Sequence, residues 1–380
     1  MTKLRISVVQ YLNTAPLIRG FTHGPLRALT QEKYDLSFTV PSQCAEALRT
    51  GAADVAIIPA IEYQRIVSQG IPLTILPGLA IASKERVRSL LLISKAPIRQ
   101  ARRIALDPSS RSTQALVKIL AARHWQISPQ FFEPTPPTPR DQRDQNGERS
   151  ETILPAILAN ADAALIIGDA ALQIAIAAEY SGATRGPEGE WITSSAALNS
   201  LVAAQYIAPA KRPREASSAE SPVGAQHRCA PTRQDVAREL QNSSPLHIYD
   251  IVTEWRRLTN LPAVLAVWAA RNDSFPNNIA PADRFPTNDL SLADVIADFQ
   301  ASRDFGLTQI PQIAAEAAAQ MHLPENELRL YLEKNIDYSL DAENLQALHR
   351  FFQESQALNL IAALNPTNIA AAPQAAQKRA

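Results

Sequence analysis

The sequence predicts a two-lobed α/β protein built from parallel sheets covered by helices. Short apolar runs of strand length alternate with helix-like stretches through the first half of the chain, as in βα units whose strands are buried on both faces. The 380 residues are too many for one small core and suit two lobes or one large domain. Hydrophobic residues make up 46% of the chain, which supplies an ordinary globular interior.

Leu4–Val9 reads as the first strand and Leu36–Val40 as the second. Pro41-Ser42 leads into a helix from about Gln43 to Thr50, with Gly51 placed as its left-handed C-terminal residue. Asp54–Ile58 is a third strand, stopped by Pro59, and Leu73–Leu76 and Ser89–Ile93 follow. Arg103–Leu106 is another. A helix then opens in the Ser109–Thr113 cluster, with Leu116, Ile119 and Leu120 on one face and Arg123 at its edge. Ala163–Ile167 is a buried strand ending in Gly168-Asp169. Glu133–Ser150 begins with a proline-rich run and reads as an exposed loop; Ala208–Arg233 reads as disordered or as a surface excursion. Order returns at Leu246–Ile251, and Leu261–Trp268 is a strongly apolar strand. From Leu290 the chain is helical, over Ile313–Gln320, Glu325–Asn335 and Ala342–Ser355. Leu328, Tyr331 and Leu332 share a packing face, as do Leu345, Leu348, Phe351 and Phe352. The Ala/Gln-rich end from Asn365 reads as frayed.

Charge and motif content remove several function classes. Lys+Arg and Asp+Glu both number 37, so no global field draws the chain to nucleic acid or an anionic membrane. Cys44 and Cys229 form no C-x-x-C and cannot build a disulfide framework, which fits a reducing compartment. The start of the chain has no signal-peptide pattern, and the longest apolar run, Leu261–Ala270, is too short to span a bilayer. A cytoplasmic protein is expected. No phosphate loop, dinucleotide fingerprint, H-E-x-x-H or G-x-S-x-G occurs. The six histidines show no metal-ligand spacing, so no metal is expected.

What remains is a set of polar clusters at expected strand ends: Tyr11-Leu12-Asn13, Pro41-Ser42, Asp107–Thr113 and Gly168-Asp169. In open parallel sheets ligands bind beyond the carboxyl ends of the strands. Ser109, Ser110, Ser112 and Thr113 at a helix start, with Arg111 as a fork donor, suit an anion; N-capping beside a solvated arginine is the equal alternative. Ser42 reads first as a cap, Asn13 as a turn residue, and Ser89 as one hydroxyl at a strand start.

Several blocks, in order, resemble a known family. They are RISVVQYLNTAPL at 5–17, PSQCAEALRTGAADVAIIPAIEY at 41–63, VRSLLLISKAP at 87–97, DPSSRST at 107–113, ADAALIIGDAAL at 161–172 and EWRRLTNLPAVLAVW at 254–268. Tyr331-Leu332, Asn335–Tyr338 and Phe351-Phe352 extend the likeness. Together they resemble the menaquinone-biosynthesis chorismate dehydratases of the futalosine pathway, over roughly Leu4–Leu172 and Leu246–Ile361. The resemblance implies a type II periplasmic-binding-protein-like fold, with a ligand cleft between two α/β lobes. The first lobe would hold 1–93, completed by 248–364; the second would hold 94–247, with an insertion at about 173–244; 365–380 would be the tail. The resemblance further implies dehydration of chorismate to 3-[(1-carboxyvinyl)oxy]benzoate with no cofactor and the substrate's own enolpyruvyl carboxylate as base. Asn13 and Ser89 match the family's active-site Asn and Ser. Tyr11, Ser42, Ser109–Thr113 and Asp169 would line the substrate.

Two rivals share the fold. A non-catalytic carboxylate-binding protein would need export. The sister enzyme, 1,4-dihydroxy-6-naphthoate synthase, uses a second-lobe histidine where this chain aligns Gly168.

Overall fold

Two mixed β-sheets, each flanked by helices, divide the protein into two lobes that the chain crosses between twice. The computed structural model describes residues 3–24, 26–134, 153–195, 244–275 and 290–371. Apart from Glu133 and Pro134, the expected loop at Glu133–Ser150 lies outside these residues, as does the expected excursion at Ala208–Arg233.

The first lobe begins with β1 (Leu4–Val9), α1 (Ala15–His23), α2 (Arg27–Lys33) and β2 (Tyr34–Thr39). It continues with α3 (Pro41–Thr50), β3 (Val55–Pro59), α4 (Ala60–Val67) and the long β4 (Leu73–Ser83). Pro41 is already the first helical residue of α3, so Val40 rather than Ser42 occupies the N-cap position. Gly51 ends α3 at φ 77°, as its placement predicted.

The second lobe holds β5 (Leu90–Ser94), β6 (Arg103–Ala105), α5 (Arg111–Leu120), β7 (Gln130–Phe132), α6 (Ile153–Ala159), β8 (Ala163–Ile167) and α7 (Gly168–Tyr180). After these come β9 (Thr184–Arg185), β10 (Trp191–Ser194) and β11 (Pro245–Asp250). The chain returns through α8 (Ile251–Thr259) to β12 (Ala263–Arg271) in the first sheet. Four helices complete the first lobe: α9 (Leu292–Thr308), α10 (Ile310–Met321), α11 (Glu325–Leu330) and α12 (Ala342–Ala357).

The strand orders are β2-β1-β3-β12-β4 and β7-β6-β8-β5-β11-β10-β9. Only β1 with β2 and β3, and β6 with β7 and β8, pair in parallel; every other pairing is antiparallel. The expectation of parallel sheets therefore holds for the βα half of each lobe and fails at the crossings. The strand that enters each lobe from its neighbour, β5 or β12, runs against the βα strands, while the strand that leaves, β4 or β11, runs with them. Strands β3, β5, β8 and β12 are buried at every residue, which is why they read as unbroken apolar runs without alternation.

Three boundaries differ from the sequence reading. Leu90–Ser94 lies in the middle of the second sheet, so the first lobe's leading segment ends at β4 rather than at 93. The span read as an insertion begins with ordered structure: α7 runs to Tyr180, and β9 and β10 extend the second sheet. Asn365 and Asn368 are docked rather than frayed. Asn365 N–H donates to Gln64 Oε1 (2.8 Å), Asn368 N–H to Tyr63 Oη (2.7 Å), and Ile369 bridges Ile75.

Candidate functional site at the lobe junction

The crossing between β4 and β5 is tied down by a buried carboxylate. Asp250, at the end of β11, accepts the backbone N–H groups of Val87 (3.1 Å) and Arg88 (2.7 Å). It also caps α8 through Val252 and Thr253 N–H. Burial pushes its carboxyl up, and these N–H donors pull it back. Arg88 stands at φ 62° with its guanidinium bridging Glu179 of α7 (2.6 Å) and Glu327 of α11 (2.8 Å). This unusual backbone sets the direction of the next residue, Ser89.

Ser89 is 1% exposed and belongs to a small polar hub. Its Oγ accepts the Tyr331 hydroxyl at 2.9 Å, and its carbonyl accepts Gly168 N–H at 2.8 Å. Asn13 sits in the short 3-10 turn Leu12–Thr14 immediately after β1, 9% exposed. Its Oδ1 accepts the Thr14 hydroxyl (3.3 Å), and its side chain approaches the Tyr331 phenol closely enough to oppose the rise in its pKa. Asn13 of the first lobe and Ser89 of the crossing thus both face one phenol, which is hydrogen-bonded to Ser89. Tyr338, fully buried beside Tyr331, has a hydroxyl without a protein partner among the described residues. Burial raises both phenols well above the ordinary tyrosine range, so both keep their protons at neutral pH.

The other expected site residues form a second cluster where α5 and α7 meet the first lobe. Ser109 donates to Asp107 Oδ1 from both N–H (2.8 Å) and Oγ (2.6 Å). Ser110 Oγ and Thr113 Oγ1 lie 2.7 Å apart, so the helix start is held hydroxyl to hydroxyl, with no side-chain N-cap bond from Ser110. Ser112 Oγ accepts Ile61 N–H (3.2 Å), and Ser42 N–H donates to the Ser109 carbonyl (3.1 Å). Arg111 pairs with the buried Glu62 at 2.9 Å, and Glu62 also receives Arg65 (2.8 Å). Arg111 is therefore an interlobe tie, although its side chain stays partly solvent-exposed. Leu12 N–H donates to Asp169 Oδ1 at 3.1 Å across the junction. Burial raises the Asp169 carboxyl, and the Leu12 N–H opposes the rise.

Gly168 joins the two clusters. It takes φ 67°, and a Cβ there would meet Cε1 and Cζ of the Tyr11 ring at 3.0 Å. The Tyr11 phenol in turn lies near Ser109, which opposes the rise that burial gives its pKa. A side chain at 168 has neither the backbone nor the room, so the histidine of the sister enzyme cannot be accommodated here without moving Tyr11.

Sequence reasoning missed Tyr331, Glu62 and Asp250. Tyr331 reads as part of an apolar helical face. Glu62 had a signal: a lone acid inside the apolar Ala60–Ile66 stretch. Asp250 ends a strand and begins a helix, the place of a capping acid.

A profile described as menaquinone biosynthesis matches residues 4–184 and 233–357. The chain belongs to this menaquinone-biosynthesis family. The family match includes α7, so the internal part of this chain outside it is 185–232, narrower than the 173–244 expected. Solved structures carry the fold alone. The Archaeoglobus fulgidus protein AF1704 is 14% identical with a TM-score of 0.53, covering 94% of this chain and 98% of its own. The Candida albicans CA3427 product, described as having the generic periplasmic-binding-protein fold, is 9% identical with a TM-score of 0.51, covering 97% and 96%. An ABC transporter protein of Parabacteroides distasonis is 11% identical with a TM-score of 0.50, covering 98% and 99%. The two lobes of this family member thus have the periplasmic-binding-protein fold. No helix among the described residues is long and apolar enough to cross a membrane.

Proposed function

We propose that this family member is a chorismate dehydratase, forming 3-[(1-carboxyvinyl)oxy]benzoate by the futalosine route to menaquinone. The observation that carries this reading is the buried hub at the lobe junction, where Tyr331 hydrogen-bonds Ser89 and stands beside Asn13. Both match the active-site residues of the dehydratases that the sequence resembles.

The step removes the ring hydroxyl and the hydrogen on the neighbouring ether-bearing carbon. The proton passes to the substrate's enolpyruvyl carboxylate, and the C–H electron pair becomes a ring double bond. The hydroxyl departs and, with the proton, leaves as water. The product ring is aromatic, so the driving force is intrinsic. The protein's work is to orient the carboxylate, stabilise the departing hydroxyl and exclude solvent. The Asn13 amide does the first and the Ser89 hydroxyl the second. Neither is a base at neutral pH, which suits a reaction whose base is in the substrate.

Chorismate is a dianion and needs donors. The hydroxyls of Ser110 and Thr113 at the start of α5 hold one carboxylate, with Arg111 the nearest cation, anchored by Glu62. Tyr11, Ser42, Ser109 and Ser112 shape that wall, and Asp169 lies at its edge, bound to Leu12 N–H. Incubating the purified protein with chorismate should give a product lighter by one water in mass spectrometry. Unchanged chorismate with measurable binding would instead mark a carboxylate-binding protein of the same fold.

A further inference from the structure

We propose that Tyr331 is a positioning residue that fixes the direction of the Ser89 hydroxyl, within a line of polar groups running Thr14, Asn13, Tyr331, Ser89 and then ligand. The identity of the ligand rests on the dehydratase reading; the line itself does not.

A serine hydroxyl carries one proton and two lone pairs and rotates to suit its surroundings. Tyr331 Oη–H donates to Ser89 Oγ at 2.9 Å, which occupies one lone pair and turns the Ser89 proton elsewhere. Among the described residues no protein acceptor takes that proton, and Ser89 is 1% exposed. A ligand oxygen in the cleft is the partner it is set for. The links behind Tyr331 have a direction too. Thr14 Oγ1–H donates to Asn13 Oδ1 at 3.3 Å, so the amide oxygen is taken and the NH₂ side is the one left to face the nearby Tyr331 phenol. In such a line of polar groups neighbouring hydrogen bonds strengthen one another.

Tyr331 is suited to this task by position and by chemistry. It is 1% exposed, at the point where α11 passes into a wider turn over Tyr331–Asn335. Burial raises its pKa, so it stays a donor across the working range of pH. A phenol reaches farther than serine or threonine and has two torsions to fix, so its hydroxyl is placed by ring packing. The helical segment after β12 thus reaches the crossing at Ser89. Without the phenol oxygen, Ser89 turns freely and the Asn13 amide loses a polar neighbour.

The test is a double-mutant cycle with binding measured separately. Tyr331→Phe should lower kcat on chorismate by about tenfold, the worth of one buried hydrogen bond, with chorismate affinity within about twofold of wild type. In a Ser89→Ala background the same change should cost less than about twofold, because its effect passes through Ser89. Tyr63→Phe removes another buried tyrosine hydroxyl, one that accepts Asn368 N–H away from the cleft, and controls for a general loss of packing. A second readout needs no substrate. With ¹³Cζ-labelled tyrosine, the Tyr331 resonance should shift in Ser89→Ala and in Asn13→Ala. Full additivity in the cycle, an equal loss of affinity and kcat, or an unmoved resonance would each overturn the assignment. If the wild-type protein leaves chorismate unchanged, the dehydratase reading falls, and the resonance alone then decides for or against the line.

Discussion

The two polar clusters at the lobe junction differ in how their hydrogen bonds are closed. Around Ser109–Thr113 the protein satisfies itself: serine to aspartate, serine to threonine, arginine to glutamate, serine to the facing helix's N–H. Around Ser89 the chain is directional and ends on a proton with no protein acceptor among the described residues. The richer cluster in sequence is the more committed one in space. A density of polar side chains marks where these lobes meet; the open end of the network is where the proposed chemistry is placed. The first cluster should therefore control affinity and closure, and the hub should control rate.

The largest effect is expected from charge in the hub. Asn13→Asp places a carboxylate against a dianionic substrate and removes the amide donor. Turnover should fall by about 10³-fold, more than in Asn13→Ala. Equal rates for the two variants, read by steady-state kinetics, would remove electrostatics from the role of Asn13.

Gly168 tests the joint between the clusters. Gly168→Ala forces a side chain into a left-handed backbone against the Tyr11 ring. A loss of about 1–3 kcal/mol in urea unfolding is expected. An unchanged midpoint would mean that Tyr11 yields freely and that the junction is loose.

Arg111→Ala sharpens the contrast in the other direction. The pair with Glu62 is partly solvent-screened on the arginine side, so stability should change by about 1 kcal/mol or less. Chorismate affinity should weaken by about tenfold, with kcat retained within a few-fold. A drop in kcat with affinity unchanged would move Arg111 into the chemistry and erase the distinction.

The smallest effect is a pH dependence. Burial raises the Asp169 carboxyl above its ordinary 3.8. The folded state then holds that proton more tightly than the unfolded chain does. Its favourable contribution is complete below the unfolded value and is lost as pH rises through the folded value. Asp169→Asn should flatten this decline, so the gap between variant and wild type widens as pH climbs past 4. Denaturant midpoints across a pH series check it, and parallel curves would contradict it.

Much of this was legible in the residues. Strands buried on both faces announce themselves as unbroken apolar runs, as at Ala163–Ile167, and Gly51 could be placed by its backbone demand alone. The direction of β5 and β12 could not, because an apolar run carries no sign of parallel or antiparallel pairing. Asn13 and Ser89 were singled out only through the family likeness; as single polar residues they would have passed for turn and strand-start positions. Tyr331 was hidden because a tyrosine on an apolar helical face satisfies the packing pattern, and only the hydroxyl's partner reveals its task. The docking of Asn365 and Asn368 escaped notice because composition does not show which backbone groups of the body await a partner.

The central claim is that the hub performs the chemistry while the Ser109–Thr113 wall supplies grip. Measuring kcat and the chorismate dissociation constant of folded Ser89→Ala tests it most directly. A fall in kcat of roughly 10²–10³ with affinity within a few-fold of wild type is the expected result. Near-normal turnover in Ser89→Ala would contradict the account and return this serine to a structural place in the crossing.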